Sequence, residues 1–351
     1  MALENGQMDP DIERTAQECN LRLLKRKSLV RPKFLMSRFP LYLIAGWLEL
    51  RPLIARLKPD LLVVSAGTAE RWLALLASGQ RAIYFVHSYP EARARKSWLD
   101  WIRRQVFSRI LSSGNLLVTV SHFSRRQILA VWTRDGESAN IRVIPNTTRP
   151  DMSERSRRVR GGSDVVRVIT MGHVVTYKNP NLWLDVAEQV VRENTTVRVK
   201  FLWAGDGPLL EECRSTVLDR GLHNSVEFVG FVSNAAEFLE AGDIYFQPSS
   251  KESQGLSVLE AMRFSLPCVV TAVGGLPESV LDGETGFVVP AGDVKGLASA
   301  ISALVRDAGV RHRIGYAGNQ RYSAEYSFSL WESRMRKLHE ERLAGIRGTG
   351  A

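Results

Sequence analysis

Cysteine is scarce in this sequence of 351 residues, which contains only Cys19, Cys213 and Cys268. The three cysteines lie far apart, their number is odd, and they do not have the spacing of zinc ligands. A disulfide framework and a structural zinc site are therefore not expected. Such a chain suits a reducing compartment, so we expect a cytoplasmic protein.

Long hydrophobic runs are also lacking. The longest nearly uncharged apolar stretch, FPLYLIAGWL at 39–48, is about half as long as a helix that spans a bilayer. The first residues, MALENGQMDPDIERTAQ, have neither the basic head nor the apolar core of a secretion signal. The sequence therefore predicts no membrane span and gives no indication of export.

Acidic residues are few in the first half of the chain. Residues 1–150 contain 24 basic and 12 acidic residues, a net charge of +12, whereas residues 151–351 contain 23 and 25, a net charge of −2. A basic half can meet nucleic acid, an anionic membrane or a phosphorylated substrate, but no nucleic-acid-binding motif is present. The basic aromatic stretches 21–34 and 93–104 fit peripheral contact with an anionic inner membrane face, and equally fit a solvated basic surface.

Apolar strands and helices alternate along most of the chain. Strands are predicted at 60–67, 82–88, 116–121, 141–148, 165–172, 197–205, 226–231, 244–250, 267–273 and 286–292. This alternation predicts an α/β fold with mostly parallel sheets covered on both faces. The polar stretch 149–164 is the expected linker. We therefore predict a Rossmann-like domain at 1–150, a second doubly wound domain at 151–330, and a helix at 331–351 that crosses back to the first domain.

One common class of α/β enzyme is disfavoured by a missing glycine. The segment AGDGPLLEE carries Gly205 and Gly207 but has Leu210 where the G-x-G-x-x-G fingerprint requires its third glycine. The sequence therefore does not favour a nicotinamide-dependent oxidoreductase.

The segment KESQGLSVLEAM, at 251–262, has the features of an anion site. Gly255 precedes a predicted helix whose first backbone amides lack intrahelical partners, and such an N-terminus binds phosphate. Glu252 and Glu260 flank this helix start, so the two carboxylates can face one bound ligand. Taken alone, two acids at this spacing are more often a helix cap and a surface residue.

The longer stretch of sequence around these residues favours the anion site over a helix cap and a surface residue. SSKESQGLSVLEAMRFSLPCVVTAVGGLPESVLDGETGFVVPAGD closely resembles the donor-site signature of family 4 glycosyltransferases, including two glutamates separated by seven residues. MGHVVTYKNP, WAGDGPLLEE and VEFVGFV continue the resemblance, and VHS, TVSHFS and VIPN extend it into the first half. The resemblance implies a GT-B fold with two facing Rossmann-like domains. It also implies a retaining transferase that moves a sugar from a nucleotide-sugar donor to a glycan or lipid-linked glycan acceptor.

The resemblance also implies roles for particular residues on the donor side. Glu260 would bind the ribose hydroxyls and Glu252 the donor sugar. The amides of Gly255, Leu256 and Ser257 would lie near the phosphates. Lys178 stands at the position of the family's phosphate-binding lysine, where a fixed positive charge stabilises the leaving diphosphate. No metal ion or other cofactor is expected, because the family does not need one and no Asp-x-Asp follows a strand.

Further positions follow from the same resemblance. His173 stands where the family usually has an arginine, so its donation to a phosphate would depend on protonation or tautomer. His87 aligns with a histidine near the reacting sugar. Gly274 and Gly275 resemble a loop that closes over the sugar nucleotide, and Glu278 is expected to orient that loop.

Two departures from the family pattern remain. Ser265 replaces a glycine that usually precedes the strand PCVV, so the turn there is expected to differ. The family normally opens with a strand and a glycine-rich loop, and MALENGQMDPDIERT contains no convincing strand, so the N-terminal domain is expected to lack its first strand. An alternative reading is therefore a non-catalytic nucleotide-sugar-binding module with a degenerate acceptor domain.

Overall fold

The protein is represented by a computed structural model that describes residues 165–347, 140–148, 114–132 and 82–90, most of 52–65, and the single residues Trp101 and Gln105. Several sequence-based expectations lie outside the described residues. They are the missing first strand, the apolar stretch 39–48, the basic stretch 21–34, and nearly all of the basic stretch 93–104.

A four-stranded parallel sheet forms the described part of the first half. Its strands are β1 (Leu62–Ser65), β2 (Ala82–Val86), β3 (Leu116–Thr119) and β4 (Ile141–Val143), paired in that order. Helix α1 (His122–Trp132) follows β3. The two inner strands, β2 and β3, are apolar and almost wholly buried, as is typical of parallel sheets whose faces are covered.

A six-stranded parallel sheet forms the second half. Its strands are β5 (Val165–Met171), β6 (Arg198–Ala204), β7 (Val226–Gly230), β8 (Ile244–Gln247), β9 (Cys268–Thr271) and β10 (Gly286–Val289). They lie in the order β10-β9-β8-β5-β6-β7, so the direction of strand addition reverses between β5 and β8. Ligands of such sheets bind beyond the carboxyl ends of the strands at this reversal.

Helices cover both faces of the second sheet. They are α2 (Pro180–Glu193), α3 (Leu210–Asp219), α4 (Ala235–Ala241), α5 (Leu256–Arg263), α6 (Leu276–Ser279), α7 (Val294–Arg306) and α8 (Ala308–Glu325), with a 3₁₀ turn at Thr176–Lys178. One core, beneath α2, α3 and α7, contains an aromatic cluster of Trp183, Phe201, Trp203 and Phe228. A second core lies under α5 and α8 on the opposite face. The prediction of an α/β fold with parallel sheets is confirmed.

The last helix, α9 (Phe328–Arg347), packs against the first sheet. Leu338 is fully buried in the same core cluster as Ile83, Leu116 and Val118. The Arg342 guanidinium also donates to the Gly114 carbonyl at 2.6 Å. Within the part of the chain that the structure describes, no helix combines the length and the apolar character needed to cross a bilayer.

The turn between α5 and β9 shows how the chain accommodates Ser265. Its φ is +56°, in the left-handed region that glycine adopts most readily. The Ser265 amide donates to the Met262 carbonyl at 3.0 Å. Serine therefore adopts the left-handed conformation that glycine would take at this turn, and its backbone is strained.

Candidate functional site

A cleft of about 970 Å³ lies between the two sheets, at the carboxyl ends of β5 and β8. The first half contributes side chains and backbone that follow β2 and β4, and the second half contributes the loops after β5 and β8. The lining residues include His87, Ser88, Asn146, Thr147, Thr148, Gly172, His173, Tyr177, Lys178, Lys251, Glu252, Gln254, Gly255, Leu256, Ser257, Glu260, Phe328 and Trp331. Eight of the ten residues predicted for the site from the sequence therefore line one cavity.

An ion pair occupies the floor of this cleft. The Lys178 ammonium lies 2.5 Å from Oε1 of Glu252, and the two side chains are 13% and 11% exposed. Lys178 ends the 3₁₀ turn after β5, and Glu252 lies on the loop after β8, so the pair joins the strands at the reversal point. Because both side chains are mostly shielded from water, the charges attract each other more strongly than a surface pair does.

Two buried polar side chains also bind the Glu252 carboxylate. Gln247 Nε2 donates to Oε1 at 3.0 Å, and the Ser249 hydroxyl donates to the same oxygen at 3.1 Å. Both residues are essentially unexposed. Sequence reasoning missed them. A glutamine at the end of an apolar strand, in IYFQPSS, was the available signal, because a buried amide needs partners.

Helix α5 begins at the cleft with its N-terminus open. Gly255 caps the helix with φ +90°, and a Cβ there would lie 2.6 Å from Leu276 Cδ2. The backbone amides of Gly255, Leu256 and Ser257 have no hydrogen-bond partner among the described residues, so the positive end of the helix dipole faces the cavity. Glu260 lies farther along the same helix and also lines the cleft.

The loop after β5 supplies the opposite wall. Gly172 has φ +146°, and a Cβ there would contact the Lys178 side chain at 3.5 Å. His173 is exposed, and its Nδ1 lies 3.3 Å from the carbonyl oxygen of Asp206. That contact leaves the other ring nitrogen for the cleft.

Gly274 and Gly275 lie behind the Glu252 loop instead of on the cleft wall. A Cβ on Gly274 would come within 1.6 Å of the Glu252 carbonyl oxygen, and a Cβ on Gly275 within 2.2 Å of the Ser253 carbonyl oxygen. The Gly275 amide donates to the Glu252 carbonyl at 3.1 Å. Because these residues are glycines, their backbone packs directly against the backbone of the loop that carries Glu252 and holds that loop in place.

The first half faces the donor-side loops through His87 and Asn146. His87 is exposed at the end of β2, with its ring 6.4 Å from that of Phe85. The backbone N–H of Asn146 donates to Gln254 Oε1 at 2.8 Å, and this bond crosses between the halves. Lys251 lies over the Tyr89 ring at 5.0 Å and makes a second crossing contact.

Glu278 makes close contacts between the halves. Its carboxylate accepts the backbone amides of His122 at 2.7 Å and Phe123 at 2.5 Å, at the N-terminus of α1. Arg126 lies 3.8 Å from the same carboxylate. An acid at this end of a helix is favoured by the free amides and by the dipole. Glu278 thus connects α6, which follows β9, to the first half.

The arrangement can hold an anion and a polyhydroxylated group side by side. A lysine and an open helix N-terminus supply positive potential, and the carboxylates of Glu252 and Glu260 supply hydrogen-bond acceptors. Among the residues that the structure describes, no three side chains of His, Cys, Asp or Glu are grouped in a way that could hold a metal ion.

Two family models match the chain. The model described as "Glycosyltransferase Family 4" matches residues 10–151, and the model described as "Glycosyl transferases group 1" matches residues 153–321. The two matches lie on either side of the cleft.

Individual proteins give the same result. N-acetyl-alpha-D-glucosaminyl L-malate synthase of Bacillus anthracis is 36% identical over 145 residues, which cover 41% of this chain and 38% of that protein. The GDP-mannose-dependent alpha-(1-6)-phosphatidylinositol monomannoside mannosyltransferase of Mycolicibacterium smegmatis is 27% identical over 265 residues, which cover 70% of this chain and 66% of that protein. The chain therefore matches less than two thirds of the length of either relative.

Among solved structures, Anabaena HepE in complex with UDP and glucose superposes with a TM-score of 0.68 at 17% identity, covering 93% of this chain and 88% of that one. This likeness extends over both sheets and shows the fold. With family models covering residues 10–151 and 153–321, the chain belongs to the family 4 glycosyltransferases and has the GT-B fold.

Proposed function

We propose that this protein transfers a sugar from a nucleotide-diphosphate sugar to a glycan or lipid-linked glycan acceptor. The observation that carries the proposal is the convergence of Lys178, Glu252 and the open N-terminus of α5 on one cleft. A diphosphate needs fixed positive charge and free amides, and a sugar needs acceptors for its hydroxyls. All three lie within the same cavity.

Each donor-side residue has a proposed role. The amides of Gly255, Leu256 and Ser257 bind the diphosphate, and Lys178 stabilises its charge as the glycosidic bond breaks. Glu260 accepts hydrogen bonds from the ribose diol, and Glu252 accepts one from the donor sugar.

The remaining predicted residues act at the edges of this site. His173 contacts a phosphate through the ring nitrogen that does not face the Asp206 carbonyl. His87 lies near the reacting sugar. Gly274 and Gly275 act indirectly, by supporting the backbone of the Glu252 loop.

We also propose that transfer retains the anomeric configuration and requires neither a metal ion nor another cofactor. Common donors such as UDP-glucose and GDP-mannose carry an α linkage, and the names of both curated relatives describe α-linked products. In the proposed chemistry the acceptor hydroxyl attacks the face that the diphosphate leaves, and a departing phosphate oxygen takes the proton. Lys178 and the helix N-terminus supply the positive charge that a metal ion would otherwise provide.

The acceptor is proposed to be a glycan or a lipid-linked glycan at the cytoplasmic face of a membrane. The mycobacterial relative is named for a phosphatidylinositol mannoside acceptor. The net charge of +12 in residues 1–150 favours peripheral contact with anionic lipid. Sedimentation with phosphatidylcholine vesicles, with and without phosphatidylglycerol, tests this contact. Binding that does not depend on the anionic lipid would contradict it.

The donor is tested by a thermal-shift panel of uridine, guanosine and adenosine diphosphates and their sugars, because a ligand that binds only the folded state raises the melting temperature. Lys178→Ala and Glu252→Ala should each lower turnover of the selected donor by about 100-fold or more. Lys295→Ala and Glu284→Ala, at exposed positions outside the cleft, are the matched controls. Unchanged turnover in the cleft variants would refute their assignment.

A non-catalytic nucleotide-sugar-binding module is the second candidate. It is favoured by His173, which carries no fixed charge where the family usually has an arginine. The same panel separates the two functions, because such a module would be stabilised by a nucleotide sugar without hydrolysing or transferring it.

A further inference from the structure

Gln247 is an unusual residue for its position. It is the last residue of β8, whose sequence is IYFQ, and it is 1% exposed in a strand that is buried along its whole length. A buried amide destabilises the fold unless its hydrogen bonds are made. The bonds that it does make therefore explain why it is tolerated.

All the hydrogen-bonding capacity of Gln247 is directed at the cleft floor. Its amide nitrogen donates to Ser249 Oγ at 2.8 Å and to Glu252 Oε1 at 3.0 Å. Its carbonyl oxygen accepts the Tyr245 hydroxyl at 2.9 Å and, more weakly, the Ser257 hydroxyl at 3.4 Å. Reversing the amide would turn its oxygen towards the Glu252 carboxylate, so the negative charge of Glu252 determines the orientation.

The Tyr245 hydroxyl, which donates to the Gln247 carbonyl oxygen, fixes the orientation of the Gln247 amide from the other end. It is fully buried, and burial raises the pKa of its phenol, so the hydroxyl stays protonated. The same hydroxyl contacts both the amide and the carbonyl of Met171, the last residue of β5. Gln247 thus connects three segments that line the cleft: the end of β5, the start of α5 and the loop that carries Glu252.

The Glu252 carboxylate is bound on one side only. Oε1 receives Lys178, Gln247 and Ser249, whereas Oε2 has no hydrogen-bond partner among the described residues. Three donors saturate Oε1 and prevent the carboxylate from rotating.

We propose that Gln247 is a positioning residue, which holds Glu252 so that Oε2 alone is presented to a hydroxyl of the donor sugar. This inference rests on the proposed function, and it adds a residue that does not touch the substrate. Misplacing a substrate-orienting group by about 1 Å can lower turnover by about 100-fold without a matching loss of binding.

The test compares Gln247→Leu with the wild-type protein, using the nucleotide sugar selected by the thermal-shift panel and its nucleoside diphosphate. The diphosphate is bound by α5 and Lys178, so its Kd should stay within about threefold, whereas kcat should fall about 10- to 100-fold. Ser302→Ala is the control for losing a buried hydrogen bond, since Ser302 bonds Asn194 between α7 and α2, far from the cleft. It should leave kcat unchanged.

Gln247→Glu supplies a pH profile that a purely structural role would not give. The charged groups around this position are Glu252, Lys178 and Glu260, and Tyr245 stays neutral. Burial and the neighbouring carboxylates raise the pKa of the introduced carboxyl. At low pH it is neutral and donates to Glu252, so kcat should approach that of the wild type. As pH rises it ionises, repels Glu252, and kcat should fall at least 10-fold relative to wild type at the same pH.

If Gln247→Leu does not fold, Ser249→Ala, which removes one of the three donors, should lower kcat by a smaller factor with an unchanged diphosphate Kd. Wild-type kcat in Gln247→Leu, or in Ser249→Ala where Gln247→Leu does not fold, or a Gln247→Glu profile that parallels the wild type, would overturn this role while leaving the transferase proposal standing. A wild-type protein that binds no nucleotide sugar would overturn both.

Discussion

The contact between Glu278 and α1 gives a quantitative prediction about how the two halves hold together. The carboxylate accepts two backbone amides, at 2.7 and 2.5 Å, and is 27% exposed. A hydrogen bond to a charged group contributes about 1.5–3 kcal/mol. An acid at a helix N-terminus adds about 0.3–1 kcal/mol. Partial exposure screens both contributions, so we expect Glu278→Ala to weaken the connection by about 2 kcal/mol in total.

Glu278→Gln should weaken the connection between the halves by about half as much free energy, because the amide retains one acceptor oxygen but loses the charge. A change of about 2 kcal/mol shifts an equilibrium about 30-fold, so a minor open arrangement of the halves would become detectable. Small-angle X-ray scattering should then report a larger radius of gyration for Glu278→Ala, an intermediate one for Glu278→Gln, and a growing difference from wild type as salt is removed.

Glu284→Gln is the matched control, because Glu284 is an exposed acid in the turn before β10. Its scattering and its denaturant midpoint should equal those of the wild type. If both Glu278 variants also equal the wild type in radius of gyration and midpoint at low salt, the carboxylate does not link the halves and the reasoning is refuted.

Three further outcomes follow from local geometry. Gly274→Ala should lower the free energy of unfolding by about 2–4 kcal/mol and turnover at least 10-fold, because its Cβ would overlap the Glu252 carbonyl oxygen. The control Gly283→Ala, with φ +74° and open space around it, should lower the free energy of unfolding by only about 1 kcal/mol. Ser265→Gly should raise the unfolding free energy by about 0.5 kcal/mol by relieving a left-handed serine, and a decrease in denaturation experiments would contradict this. In a Cys19→Ser protein, Cys213 and Cys268 should resist Ellman's reagent until the protein unfolds, because burial raises both pKa values, that of Cys213 to about 11.

Local sequence patterns predicted the elements that hold the site. The strand predicted at 165–172 is β5, one residue shorter. A buried strand is visible in the sequence as an apolar run bounded by polar or glycine residues, so the local pattern is enough to find it.

The contacts inside the site depend on distance in space, which periodicity does not encode. Gln247 lies five residues from Glu252, but its orientation depends on Tyr245, Ser257 and the charge of Glu252 together. Glu278 was expected to orient its own loop, and the structure shows that it also binds α1, more than 150 residues away. The resemblance indicated which loops meet at the cleft, and it did not indicate which backbone atoms Gly274 and Gly275 approach.

The position of α9 has a consequence for the order in which the chain folds. Leu338 completes the core around Ile83 and Leu116, yet it is synthesised more than 200 residues after either of them. On the ribosome the first half must therefore wait, with part of its apolar surface uncovered, while the contiguous second half emerges and folds. Contacts of such long sequence separation also form slowly, so refolding from denaturant should end with the docking of α9. A chain cut before Leu338 would retain the second sheet and expose the core of the first.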